Sequence, residues 1–80
     1  YMADGFTVSP NPSKTEFKIF SEEIERVDLK VYNAHGILVE EAALNGVSNK
    51  TFGINYEPGI YFLRINAGNK TSLQRIVKSE

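Results

Sequence analysis

The sequence predicts an all-β domain, an immunoglobulin-like antiparallel β-sandwich of about seven short strands. Three observations predict it. Six Val, seven Ile, four Thr and nine aromatic residues together make 26 of the 80, the types that suit a pleated, half-buried surface. Gly, Asn and Pro recur at short intervals, which is the punctuation of short strands and turns. Apolar and polar residues alternate with period two in several runs, as they do in strands with one buried face. Such strands joined by hairpins suggest two packed sheets, with a small closed barrel as the competing architecture.

The elements follow in order. Phe6-Thr7-Val8 reads as a first strand, stopped by Pro10-Asn11-Pro12, because two prolines without an N–H cannot sit inside a central ladder. Glu16–Phe20 resumes as a strand with Phe17 and Ile19 on one face. Glu25–Asn33 places Val27, Leu29 and Val31 on one side and Asp28, Lys30 and Tyr32 on the other. Ser21 is a candidate cap for a single helical turn over Ser21–Glu25. Ala34-His35-Gly36 makes a turn, with Gly36 free to take a positive φ, and Ile37–Ala42 is the return strand. Leu44–Asn49 is a loop around Asn45-Gly46. Lys50–Tyr56 is expected as a strand with Phe52, Ile54 and Tyr56 on one face. After the Glu57-Pro58-Gly59 turn, Ile60–Ala67 directs Tyr61, Leu63 and Ile65 inward. Ala67-Gly68-Asn69 turns the chain into a last strand, Thr71–Lys78.

Composition narrows the function. Nine basic and ten acidic residues leave a net charge of -1, without the basic excess of a nucleic-acid binder. This near-neutrality favours recognition by shape and strand over bulk electrostatics. The absence of cysteine excludes a disulfide framework and a thiolate zinc site. No apolar run approaches the ~20 residues of a membrane-spanning helix, and no signal peptide is visible. Because the first residue is Tyr1, the chain is expected to be a piece of a longer precursor. Residues 1–5 then read as a linker remnant from an upstream domain, and 6–80 as the domain itself.

Catalytic chemistry has few candidates. The single His, His35, sits in a turn with no motif to supply the partner that a general base needs. Glu40 and Glu41 are strand neighbours and point to opposite faces, so they cannot form a paired-carboxylate site. With Glu22, Glu23 and Glu25 they read as solvated charges that protect sheet edges. No glycine-rich phosphate loop or calcium loop is present. Neither an enzyme, a cofactor nor a small-molecule substrate is expected. Asn49-Lys50-Thr51 and Asn69-Lys70-Thr71 match a glycosylation tripeptide that is common by chance. Aromatic residues on one sheet would suit an accessory carbohydrate-binding or adhesive module; Phe17, Phe52 and Tyr61 read instead as core.

Four segments sharpen this reading: Val8-Ser9-Pro10-Asn11-Pro12, Leu29–Val39, Pro58–Ile65, and Arg75-Ile76-Val77-Lys78. In this order and spacing they resemble the C-terminal sorting domain of cargo proteins of the bacterial type IX secretion system of Bacteroidetes, over about Val8–Lys78. The resemblance implies an immunoglobulin-like sandwich that directs its precursor from the periplasm through the outer-membrane translocon. It also implies, in many members, removal by a sortase-like peptidase and attachment of the cargo to lipopolysaccharide at the cell surface, or else release. Cleavage would lie at or before Tyr1–Gly5. The partners implied are the translocon, the peptidase and an upstream cargo domain, with no nucleic acid. Gly59, Tyr61 and Arg64, and the terminal Arg75, Ile76, Val77 and Lys78, are the candidates for translocon recognition. Gly59 permits a sharp turn into the Tyr61 strand, Arg64 presents charge opposite the core, and the basic ends of the last strand are available to a partner. An edge strand also suits β-augmentation or self-association. Two alternatives stand: either the Gly59–Ile65 segment is itself read, or it is scaffold and only the last strand is read.

Overall fold

Apolar positions at period two become the inner faces of two sheets. The computed structural model describes residues 2–3, 6–22 and 25–80. Among these the strands are β1 (Met2–Ala3), β2 (Phe6–Ser9), β3 (Phe17–Ser21), β4 (Val27–Asn33), β5 (Leu38–Leu44), β6 (Ser48–Phe52), β7 (Gly59–Ala67) and β8 (Lys70–Lys78). One sheet has the order β1-β2-β3-β6 and the other β5-β4-β7-β8, and every pairing is antiparallel. Phe6, Val8, Phe17, Ile19 and Phe52 of the first sheet meet Val27, Leu29, Val31, Leu63, Ile65 and Ile76 of the second in one core. Burial of each such side chain contributes roughly 1.5–3 kcal/mol. The two sheets face each other as an immunoglobulin-like sandwich, as the alternation predicts.

The expected first strand is preceded by a shorter one: β1 pairs Met2 with Thr7 and Ala3 with Phe6. Pro10-Asn11-Pro12 does end β2, and both X-Pro bonds there are cis. The hairpin between β4 and β5 is closed by Asn33. Its Oδ1 accepts the backbone N–H groups of His35 at 2.9 Å and Ile37 at 3.1 Å, and Gly36 takes φ 81°. The helical turn expected over Ser21–Glu25 falls partly on Glu23 and Ile24, which lie outside the described residues; Ser21 itself ends β3.

The strand expected over Lys50–Tyr56 is corrected. β6 spans Ser48–Phe52 and stops at Gly53. Gly53 has φ 85°, and a Cβ there would lie 2.9 Å from the Phe17 ring. Only glycine meets both conditions without strain. Tyr56 N–H donates to the Gly53 carbonyl at 3.2 Å, so the chain reverses. Ile54, expected on one face with Phe52 and Tyr56, is 58% exposed at the corner, while Tyr56 folds back against Phe52 and Tyr61. The apolar spacing of Phe52, Ile54 and Tyr56 imitates a strand across what is really a turn.

Candidate recognition surface

The seven sequence candidates divide between the two faces of the β5-β4-β7-β8 sheet. Tyr61, Ile76 and Lys78 face inward and are buried. The Tyr61 ring lies 4.7 Å from that of Tyr56, which continues through Phe52 to Phe17, so a row of aromatic rings joins the two sheets. The Tyr61 hydroxyl donates to the Glu57 carbonyl at 2.7 Å. Lys78 corrects the expectation that both basic ends of β8 are available to a partner. It is 5% exposed, and its ammonium donates to the backbone carbonyls of Thr15, Gly53 and Ile54. One buried cation therefore ties the end of β8 to the β2–β3 and β6–β7 connections, with its three donors all used.

Arg64, Arg75 and Val77 face outward. Gly59 opens β7 opposite Lys78, exposed, and a Cβ there would meet nothing. The register fixes what surrounds them. Leu38, Tyr32, Phe62 and Arg75 lie side by side across all four strands, with Ile60 and Val77 paired beyond them. The next row is Glu41, Lys30, Arg64 and Leu73; the third is Ala43, Asp28, Asn66 and Thr71. Directly opposed side chains on one face sit about 4.5–5.5 Å apart at Cβ, so each row is contiguous. Leu38, Ile60 and Leu73 are exposed, and Tyr32, Phe62 and Val77 are half-buried. Ile37, beside the turn, and Val39, at the β5 bulge, are further exposed apolar residues near this row.

Sequence reasoning singled out Arg64, Arg75 and Val77 and missed Tyr32, Ile60, Phe62 and Leu73. The available signal was phase. Once Tyr61, Leu63 and Ile65 are assigned inward, Ile60 and Phe62 are apolar residues at positions that should be polar. Register was also needed to bring Lys30 directly opposite Arg64. Like charges so placed cost stability, and Glu41, opposite Lys30 on its other side, offsets part of that cost. Among the described residues neither Arg64 nor Arg75 makes an ion pair; the ion pair there is Arg26–Asp28, at 3.1 Å.

The edges of this sheet are closed in different ways. β5 has a bulge opposite Val31/Tyr32, and its Glu40 points to the core side, where the Tyr56 hydroxyl donates to it at 2.6 Å. Glu40 is thus a bonded, half-buried group instead of the solvated charge expected. Burial and this carboxylate push the Tyr56 phenol above its ordinary value of 10.0. On β8, Asn11 and Ser13 cover the outer edge. Asn11 donates from Nδ2 to the Arg75 carbonyl at 3.1 Å and accepts the Val77 N–H at 3.0 Å. Ser13 N–H donates to the Val77 carbonyl at 3.0 Å, and Ser79 N–H to the Ser13 carbonyl at 2.8 Å. The side-chain amide of Asn11 stands in for a peptide unit.

Among the described residues no group of three His, Asp or Glu side chains is placed to hold a metal ion, and His35 is an exposed turn residue. Phe17, Phe52 and Tyr61 are core, as expected. The family model described as a secretion system C-terminal sorting domain matches residues 7–79. No curated protein matches the chain.

Proposed function

We propose, from the premise that this chain belongs to the secretion-system C-terminal sorting family, that the outer face of the β5-β4-β7-β8 sheet is the surface its export machinery reads. The family is the sorting signal of type IX secretion, a tag that directs its precursor across the outer membrane toward the cell surface or the medium. Such a domain engages the secretion machinery and acts on the cargo that carries it. The observation that carries the reading is the row Leu38, Tyr32, Phe62, Arg75, with Arg64 and Lys30 beside it. A sheet face that needed only solvation would have no use for off-phase aromatic and aliphatic residues. Aromatic, aliphatic and Arg side chains on one contiguous face are the composition of a protein-binding centre.

Gly59, Arg64, Arg75 and Val77 then contact the translocon. Tyr61, Ile76 and Lys78 act one step back, holding β7 and β8 in the register that builds the face. Recognition through the outer edge at the end of β8 is disfavoured, since Asn11 and Ser13 already occupy that edge. Removal by a sortase-like peptidase at or before residues 1–5, with the cargo anchored at the surface or released, completes the proposed path.

The test is a fusion of residues 1–80 to a periplasmic reporter in a strain with type IX secretion. The parent fusion is expected outside the cell. The doubly reversed variant Arg64→Glu/Arg75→Glu should remain folded and be exported at less than about a tenth of the parent level, the scale of a lost interface centre. Parent-level export of that folded variant would discard the outer-face reading. A folded parent fusion retained in the periplasm would discard the sorting role of this chain.

A further inference from the structure

We infer that the Pro10–Ser13 segment is a cap that keeps β8 from pairing with a second copy of this chain. The backbone groups of a strand alternate between its two edges. Val77 N–H and C=O and the Arg75 carbonyl meet Asn11 and Ser13, so these residues face away from β7. By the same alternation the N–H and C=O of Thr71 and Leu73 face outward beyond the reach of the cap. The open stretch thus runs from Thr71 to the Arg75 N–H, about five residues, and a two-stranded pairing that short is marginal in water.

Without the cap, β8 is a nine-residue strand paired with β7 in unbroken register from Lys70 to Lys78. Its inward positions are Lys70, exposed at the start of the strand, then Ser72, Gln74 and Ile76, with no charge among these three, and finally Lys78. Of the other edges, β5 carries a bulge and the inward Glu40, and β6 carries Lys50 opposite core Ile19, devices that resist pairing, while β1 is only two residues long. β8 has none of these over most of its length, and a long regular edge is an aggregation template. Pro10 and Pro12 lack N–H groups, so the capping segment itself offers little for another strand to join.

The occupant follows from symmetry. A two-fold axis near the middle of β8 pairs the edge antiparallel with itself, each outward N–H meeting a C=O of the copy. Leu73, 63% exposed in the single chain, would then lie beside its counterpart and lose that exposure.

The test compares the parent with Asn11→Ala by light scattering on a size-exclusion column over a range of concentrations. The parent is expected at 9.0 kDa, and Asn11→Ala at twice that mass. Adding Thr71→Pro, which blocks an outward N–H, should return the variant to a single chain. Amide exchange at Val77 should quicken at least about tenfold in the variant when dilute, since its acceptor is gone. If Asn11→Ala fails to fold, Asn11→Asp carries the same expectation for mass and for its reversal by Thr71→Pro, because it sets a carboxylate oxygen against the Arg75 carbonyl in place of a donor; Val77 exchange, whose acceptor it keeps, is not read in that variant. A folded, capless variant that stays a single chain at every concentration overturns the inference, as does a dimer that Thr71→Pro leaves intact.

Discussion

The two sheets share a core and differ on their outer faces. On β2, β3 and β6 of the first sheet the outward rows are Thr7, Phe20, Asn49 and Ser9, Lys18, Thr51, with Met2 of β1 in register beside Thr7. On those three strands they are polar except for Phe20, which is 37% exposed. On the β5-β4-β7-β8 sheet the corresponding rows carry Leu38, Tyr32, Phe62, Ile60, Val77 and Leu73 among Lys30, Arg64 and Arg75. Both faces lie outside the same sandwich and meet the same solvent, so the fold does not demand the difference. A sheet that only needs water on its outer side alternates apolar and polar; the first sheet does so and the second does not. The excess apolar surface of the second supports the proposal that this side meets the export machinery.

The largest effect should come from the shared core, where the comparison disappears. Leu63→Ala removes a fully buried side chain and should cost about 2–5 kcal/mol. Denaturant unfolding would register this, and export would fail through loss of the fold. Lys78→Met should follow, at about 2 kcal/mol, because three carbonyls, that of Gly53 buried, lose their donor. A Lys78→Met variant with unchanged stability would remove Lys78 from the scaffold and return it to the candidates for contact.

Matched substitutions on the outer faces sharpen the contrast. Phe62→Asp and Phe20→Asp should each change stability by less than about 1 kcal/mol. Export of the reporter fusion should drop only for Phe62→Asp. Equal export of the two variants would mean that the faces are not distinguished by the machinery.

The smallest effect is in the alkaline range. The Tyr56 phenol is raised in the folded state by burial and by Glu40, so its contribution is complete below the unfolded value of about 10 and is lost as pH rises through the folded value. Stability should therefore decline above about pH 10, and Tyr56→Phe should flatten that decline. Chemical unfolding between about pH 8 and 11 checks the sign; an unchanged slope would show that the Tyr56–Glu40 contact does not titrate with folding.

Much of the fold was legible because burial writes itself into alternation. Phe17 and Ile19, Val27, Leu29 and Val31, and Tyr61, Leu63 and Ile65 each declare an inner face, since slipping a strand by one residue would expose all of them. The hairpin at Asn33–Gly36 was legible for a local reason, a short side chain and a glycine at the turn. The Lys50–Tyr56 segment was misread because period two persists by coincidence through Gly53. Nothing within the segment reveals that Phe17, far away in sequence, leaves no room for a Cβ there.

By itself, then, the sequence determined the all-β class, the inner faces, most of the turns and the family resemblance. These rest on near-neighbour patterns along one chain. Tertiary structure decided the rest, because each feature depends on residues distant in sequence. It turned Lys78, basic and near the end of the last strand, inward to carbonyls at Thr15, Gly53 and Ile54. It set Asn11 against an edge 64 residues away. Strand register then assembled Leu38, Tyr32, Phe62 and Arg75 into one row, a neighbourhood that no single strand contains.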